Sequence, residues 1–348
     1  MNILITGNQG YVGSELVKYL RKKYPLYKIA GLDIGLFSSN LTTNGPSPDS
    51  YLDLQHYCDI RKIKESFFKN IDSVIHLAAI SNDPIGKKFE KITHDINYLA
   101  SKKLFNYCKS MGVSKFVFAS SCSMYGSFST KPKKENDTLN PLTAYAKSKV
   151  AFEKFLSKNK SITKTLSLRF ATACGMSDRL RLDLVLNDFV TNALTNKLID
   201  IHSDGTPWRP LIDVHDMCRA FDWAIHTNNK SIAKNFAVNV GKNSSNYKIK
   251  DLAFAVAKKI PNTKIKINKN AMPDKRSYSV DFSLFEKLAK NYIPEYKLDK
   301  SINNLIEGIN KISLSKINIQ ESKFIRLNTL NNYIKNRNLS KNLEWKIK

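Results

Sequence analysis

The stretch Gly7-Asn8-Gln9-Gly10-Tyr11-Val12-Gly13 decides the fold. It follows the short apolar run Asn2-Ile3-Leu4-Ile5-Thr6 and precedes a segment whose Leu16, Val17 and Leu20 recur at helical spacing. Glycines between a strand and a helix permit a tight turn, let backbone approach a diphosphate, and set the helix close on its sheet. The helix N-terminus then offers free N–H groups and a partial positive charge to phosphate. Asp33 closes the next strand, Ile29-Ala30-Gly31-Leu32-Asp33, 20 residues after Gly13. A carboxylate there accepts hydrogen bonds from an adenosine ribose. It repels a 2′-phosphate, and no Lys or Arg occurs from 29 to 50, so the pattern favours NAD over NADP. Asp59-Ile60 falls where a later strand should end; Asp59 is either an adenine contact or a helix N-cap.

Outward from this turn, short β-rich runs alternate with helical patterns. Ser73–Ala79, Lys115–Ser121 and Thr165–Phe170 read as strands. Ile96, Leu99, Leu104 and Tyr107 mark one helix, and Thr143 to Leu156 another. The alternation predicts an α/β chain with a doubly wound parallel sheet of the Rossmann kind. After about Gly175 it becomes irregular, which suits a smaller C-terminal α+β domain. The expected division is a nucleotide-binding domain over 1–176, rejoined near 211–243. A substrate domain follows from 177–210 and 244–320, and a basic tail from 321–348, helical through Phe324, Leu327, Leu330 and Tyr333.

A chain of 348 residues suits about two domains. Its 42% hydrophobic and 25% charged residues exclude a disordered chain, a coiled coil or a disulfide scaffold. No apolar run reaches the ~18 residues of a membrane helix, and Met1–Thr6 lacks the features of a signal peptide, so a cytoplasmic location is expected. Cysteines 58, 108, 122, 174 and 218 lack paired spacing and read as free thiols. The formal charge of +26 raises the possibility of nucleic-acid binding, but the lysines are spread along the chain, and no specific nucleic acid is expected. Only ten of the 56 basic residues are Arg, and six of those lie between 169 and 276. That concentration suggests sites needing a planar, bidentate donor, as phosphate does.

Tyr145 and Lys149 share one face of the helix that begins after Pro141. A tyrosine of pKa ~10 is a poor base at neutral pH. A nearby ammonium and a positive nicotinamide lower that value, and the resulting phenolate can take a proton from a sugar hydroxyl. Ser120-Ser121-Cys122-Ser123 ends a parallel strand, the edge at which open α/β sheets bind ligands. The turn is expected to border the substrate, although Cys122 itself reads as an inert packing thiol. His76 reads as a hydrogen-bonded scaffold residue, and the spacing around His215 supports no metal.

Gly7, Gly10 and Gly13, Asp33, His76-Leu77-Ala78-Ala79, Asn97, Ser121, and Tyr145 with Lys149 together resemble the extended short-chain dehydrogenase/reductases, specifically the NAD-dependent nucleotide-sugar epimerase/dehydratase family. The likeness continues through Ser203–Asp216, Phe236–Gly241 and Pro273–Tyr278, and covers roughly residues 1 to 290. The resemblance implies catalysis by Ser121, Tyr145 and Lys149. It implies NAD on Gly7, Gly10, Tyr11, Val12, Gly13, Asp33, Asp59, Ile60, Leu77, Ala78, Ala79, Asn97, Tyr145 and Lys149. A nucleotide sugar is expected against Ser121, Cys122, Ser123, Asn187, Arg209 and Arg276. For Arg179 and Arg181, phosphate contact and ion pairing stay open. The helices near 94–111 and 143–157 are implied to form a homodimer interface.

The family's shared first step is oxidation of a sugar carbon, usually C4, to a ketone. In 4,6-dehydratases carboxylates stand beside the serine; here Cys122 and Ser123 take those places, so no acidic group is expected there. That leaves epimerisation through a transient 4-keto sugar, favoured by an NAD-type pocket, or one-way reduction or dehydrogenation. A non-catalytic dinucleotide- or RNA-binding relative is the competing class, and such a protein would be expected to lack the serine, tyrosine or lysine.

Overall fold

A computed structural model describes residues 1–43, 45–126, 131–229, 232–271, 277–312 and 319–346. Seven parallel strands form its central sheet in the order β10-β6-β5-β4-β1-β2-β3. They are β1 (Asn2–Thr6), β2 (Lys28–Asp33), β3 (Leu54–Tyr57), β4 (Ser73–His76), β5 (Lys115–Ser121), β6 (Lys164–Phe170) and β10 (Asn235–Val240). The inner strands are covered on both faces, so they read as apolar runs; Ile3, Leu4 and Ile5 are wholly buried. Strand β3 lies at the edge with exposed or half-buried side chains, which is why no apolar run announces it.

Helices α1 (Tyr11–Lys23) and α7 (Val214–His226) pack on one face of the sheet. Helices α4 (Ser101–Ser110) and α5 (Ala144–Ser157) cover the other, through Leu104, Phe105, Phe152 and Leu156. Helix α5 starts where Thr143 caps the Ala146 N–H. Helices α2 (Asp83–Lys88) and α3 (Glu90–His94) precede a π-helical turn, Asp95–Ala100, so the helix expected from Ile96 to Tyr107 is in two pieces, that turn and α4. Strand order reverses between β1 and β4, and the C-terminal ends of the strands part there to leave a crevice.

The remaining chain builds a second core from α6 (Val185–Thr195), α8 (Ile249–Lys259) and α10 (Leu298–Lys311). Two small sheets accompany it: β7 (Thr172–Cys174) with β9 (Trp208–Asp213) and β11 (Asn246–Lys248), and β8 (Leu198–Ile201) with β12 (Lys264–Ile267). The chain re-enters the central sheet through α7 and β10, while β9 stays in the small sheet. Past α9 (Ser283–Leu288) and α10, the C-terminal segment forms α11 (Arg326–Lys335). Leu330, Leu339 and Leu343 of this segment pack on Ile80, Ile85, Phe89 and Ile92, beside the crevice. Among the described residues no helix is long and apolar enough to cross a membrane.

Candidate active site

The crevice widens into a cavity of about 1060 Å³, large enough for a dinucleotide and a second ligand. One end is the glycine turn. Gly7 has φ +75°, and a Cβ there would come within 2.6 Å of the Ala78 nitrogen. A Cβ on Gly13 would come within 2.5 Å of the Asn8 Cα, so Gly13 sets the closeness of α1 to the turn and does not itself line the cavity. Gly7, Gly10, Tyr11 and Val12 do line it, and the N-cap residue Gly10 makes no side-chain cap that would occupy the first-turn N–H groups. Asp33 accepts from the N–H groups of Gly35 at 2.8 Å and Gln9 at 3.1 Å, and burial pushes its carboxyl pKa upward.

Leu77, Ala78, Ala79, Asp59 and Ile60 complete this wall. Asp59 adopts the N-cap role, accepting from the Arg61 N–H at 2.8 Å, and pairs with the Arg61 guanidinium. The glycine cradle, the uncapped helix start and the carboxylate at the strand end fit NAD.

Ser121, Ser123, Tyr145 and Lys149 line the middle of the cavity. The Ser121 hydroxyl donates to Ser123 Oγ at 2.9 Å and accepts from the Ser123 N–H at 3.2 Å. Lys149 is buried, donates from Nζ to the Ala119 carbonyl at 2.6 Å, and lies 5.4 Å from the centre of the Tyr145 ring. Burial brings its pKa down to about 7, against the opposing pull of Glu153. Burial pushes Tyr145 up to about 12, while a hydrogen bond with Ser121 and the charge of Arg181 act downward. Desolvation dominates both groups. His76 is buried between Thr6 Oγ1 at 2.7 Å and Ser101 Oγ at 2.8 Å, and burial keeps it neutral with a pKa of about 3.

At the far end, Arg209 and Tyr278 line the cavity, the guanidinium 5.7 Å from the ring centre. Arg181 also lines it, paired with Asp183 at 3.0 Å and donating to Ser81 at 3.1 Å. Arg179 is fully buried in an ion pair with Asp49 at 2.8 Å, so ion pairing describes its role. Arg276 lies outside the described residues.

Three expected contacts are placed elsewhere. Asn97, on the π-helical turn, accepts from the Ile80 N–H at 2.8 Å and donates to the Ile80 carbonyl and Ser148; it clamps the loop after β4. Asn187 is wholly buried, accepting from the Gly175 N–H and donating to the Arg181 carbonyl. Cys122 is wholly buried with its thiol toward the Arg169 carbonyl at 3.0 Å. None of the three lines the cavity, because each side chain is taken up by backbone groups beneath it.

The sequence reading missed Asp83, Asp183 and Asp188, which all line the cavity. Asp83 lies within electrostatic reach of Tyr145. The positions beside Ser121 carry no acidic group, as expected from Cys122 and Ser123, but a carboxylate reaches the cavity from the first residue of α2. The one available signal was Asn82-Asp83-Pro84, a helix start next to the His76–Ala79 strand end.

Residues 3–241 match the family model described as the NAD dependent epimerase/dehydratase family. The dTDP-D-glucose 4,6-dehydratase of Dictyostelium discoideum is 30% identical over 249 residues, 63% of this chain and 54% of its own length. The chain thus matches about half of that relative. A putative UDP-glucose 4-epimerase of Methanocaldococcus jannaschii is 28% identical over 246 residues, 69% of this chain and 76% of its own. Among solved structures, UDP-glucuronic acid 4-epimerase from Bacillus cereus shares the fold, with a TM-score of 0.77 at 23% identity over 90% of this chain and 100% of that one. With the family match spanning the glycine turn, the Ser121 turn and the Tyr145–Lys149 helix, the chain belongs to the NAD dependent epimerase/dehydratase family of enzymes, whose cofactor is NAD.

Proposed function

We propose that the chain is a nucleotide-sugar epimerase acting through a transient 4-keto sugar. The observation that carries this reading is the meeting of Ser121, Tyr145 and Lys149 with Arg209 and Tyr278 around one cavity, beside the glycine turn. The chemistry that bound NAD supplies is reversible uptake of hydride from a sugar carbon. The chain's own residues handle the proton and the orientation. Tyr145 exchanges a proton with the sugar hydroxyl, and Ser121 holds the same hydroxyl through its link to the phenol. Lys149, with a pKa of about 7, stands between its two forms at neutral pH; as the ammonium it stabilises the phenolate. Arg209, which lines the cavity, binds the nucleotide diphosphate in this reading. A ketone that turns in the cavity before it is reduced on its other face leaves as the epimer.

The Ser121–Ser123 turn carries no carboxylate, which favours epimerisation over 4,6-dehydration. Asp83 supports dehydration as the second reading, since it offers an acid near Tyr145. Incubating the protein with a panel of nucleotide sugars separates these outcomes by mass and NMR. Unchanged mass with an inverted centre supports the epimerase. Loss of water that is abolished by Asp83→Asn establishes the dehydratase, and a two-dalton change a one-way oxidoreductase.

A further inference from the structure

Arg326 opens α11 and lines the cavity, yet its side chain is almost wholly buried. Nη2 donates to the Arg179 carbonyl at 2.8 Å, and the guanidinium lies 4.6 Å from the centre of the Phe37 ring. Buried Nη1 has no hydrogen-bond partner among the described residues. The charges that face it do not neutralise it. Arg179 and Arg181 add like charge, while Asp183 is already held by Arg181 and Asn82, and Asp33 by the Gln9 and Gly35 N–H groups. A buried cation without a partner is costly, and an unpaired donor on it marks a place where an anion belongs.

The same cavity holds the start of α1, and Arg181 lies within electrostatic reach of Tyr11 there as well as of Arg326. We propose that Arg326 binds the diphosphate of NAD together with the N-terminus of α1, so that the C-terminal segment completes the cofactor site. Other contacts hold the segment in place. The Asn342 carbonyl accepts from Arg61 at 2.8 Å, Trp345 Nε1 donates to the Ile34 carbonyl at 2.7 Å, and Leu330 and Leu343 line the cavity beside Arg326. This wall lies beyond residues 3–241, the part matched by the family model.

The proposal rests on NAD occupying this cavity, and the test separates the two. Full-length wild type, Arg326→Gln and Arg326→Lys, freed of cofactor, are titrated with NAD and with NADP by calorimetry, and their thermal unfolding is recorded. A charge-assisted contact corresponds to a Kd for NAD raised on the order of tenfold to a hundredfold in Arg326→Gln. Arg326→Lys, which keeps the charge, recovers part of that affinity, and the cofactor-free Tm of Arg326→Gln stays level or rises. An unchanged Kd with a lowered Tm overturns the proposal in favour of a packing role. Equal loss in both variants overturns it too, as does an effect confined to NADP, which would mean a 2′-phosphate contact. Wild type that binds no NAD refutes the cofactor assignment itself.

Discussion

Replacing Lys149 by methionine removes a buried lysine while keeping a side chain of similar length. The folded protein releases the Lys149 proton near pH 7, whereas the unfolded chain keeps it to about 10.5. Between those values the unfolded state binds more protons, so this group makes stability rise with pH. From pH 7 to pH 9 the gain is about 2 kcal/mol, since each unit of difference is worth about 1.4 kcal/mol and the lysine is already half neutral at the start. Groups that titrate alike in both proteins cancel, so the difference between wild type and Lys149→Met isolates the lysine. Urea denaturation of the cofactor-free proteins at pH 7, 8 and 9 measures it. Wild type is expected to gain about 2 kcal/mol on the variant across that range. A gap that stays constant would mean that the ammonium is not destabilised by its surroundings, and the electrostatic description of the site would fail.

Glu153 pulls the lysine upward, so Glu153→Gln should move the Lys149 limb of the pH–rate profile below pH 7, as read from kcat/KM against pH. The same change loosens a buried pair with Arg169 at 2.7 Å and should cost about 3–5 kcal/mol in urea. Gly13→Ala places a methyl against the backbone of Gly7 and Asn8, and the displacement of α1 should abolish NAD binding in a calorimetric titration. Asn97→Ala leaves the buried N–H and carbonyl of Ile80 without partners and should lower stability by about 2–4 kcal/mol on denaturation.

How much was legible in the sequence follows from where each signal is stored. The glycine turn, Asp33 and the inner strands are local patterns: Asn2–Thr6 and Lys115–Ser121 lie within a few residues of the runs that announce them. Strands β7 and β11, three residues each, hold no period to read. Asn97 looked like a cofactor contact because its type and spacing are the same whether its amide meets a ligand or the Ile80 backbone; a π-helical turn decides which. Asn187 is likewise taken up by the Arg181 carbonyl, whereas Cys122 is buried in the manner of the packing thiol it reads as. Asp83 and Arg326 were missed because they reach the cavity from the start of α2 and from the C-terminal segment, far along the chain from the glycine turn that shares it. The lysine's pKa depends on burial, which no spacing encodes.

The central claim is that a phenol on α5 governs proton transfer to a sugar beside the dinucleotide. Tyr145→Phe, assayed on whichever nucleotide sugar the wild type converts, tests it with NAD content measured on the same sample. Turnover reduced by at least about a hundredfold with NAD still bound is the result this account requires. Full turnover without the hydroxyl would contradict it.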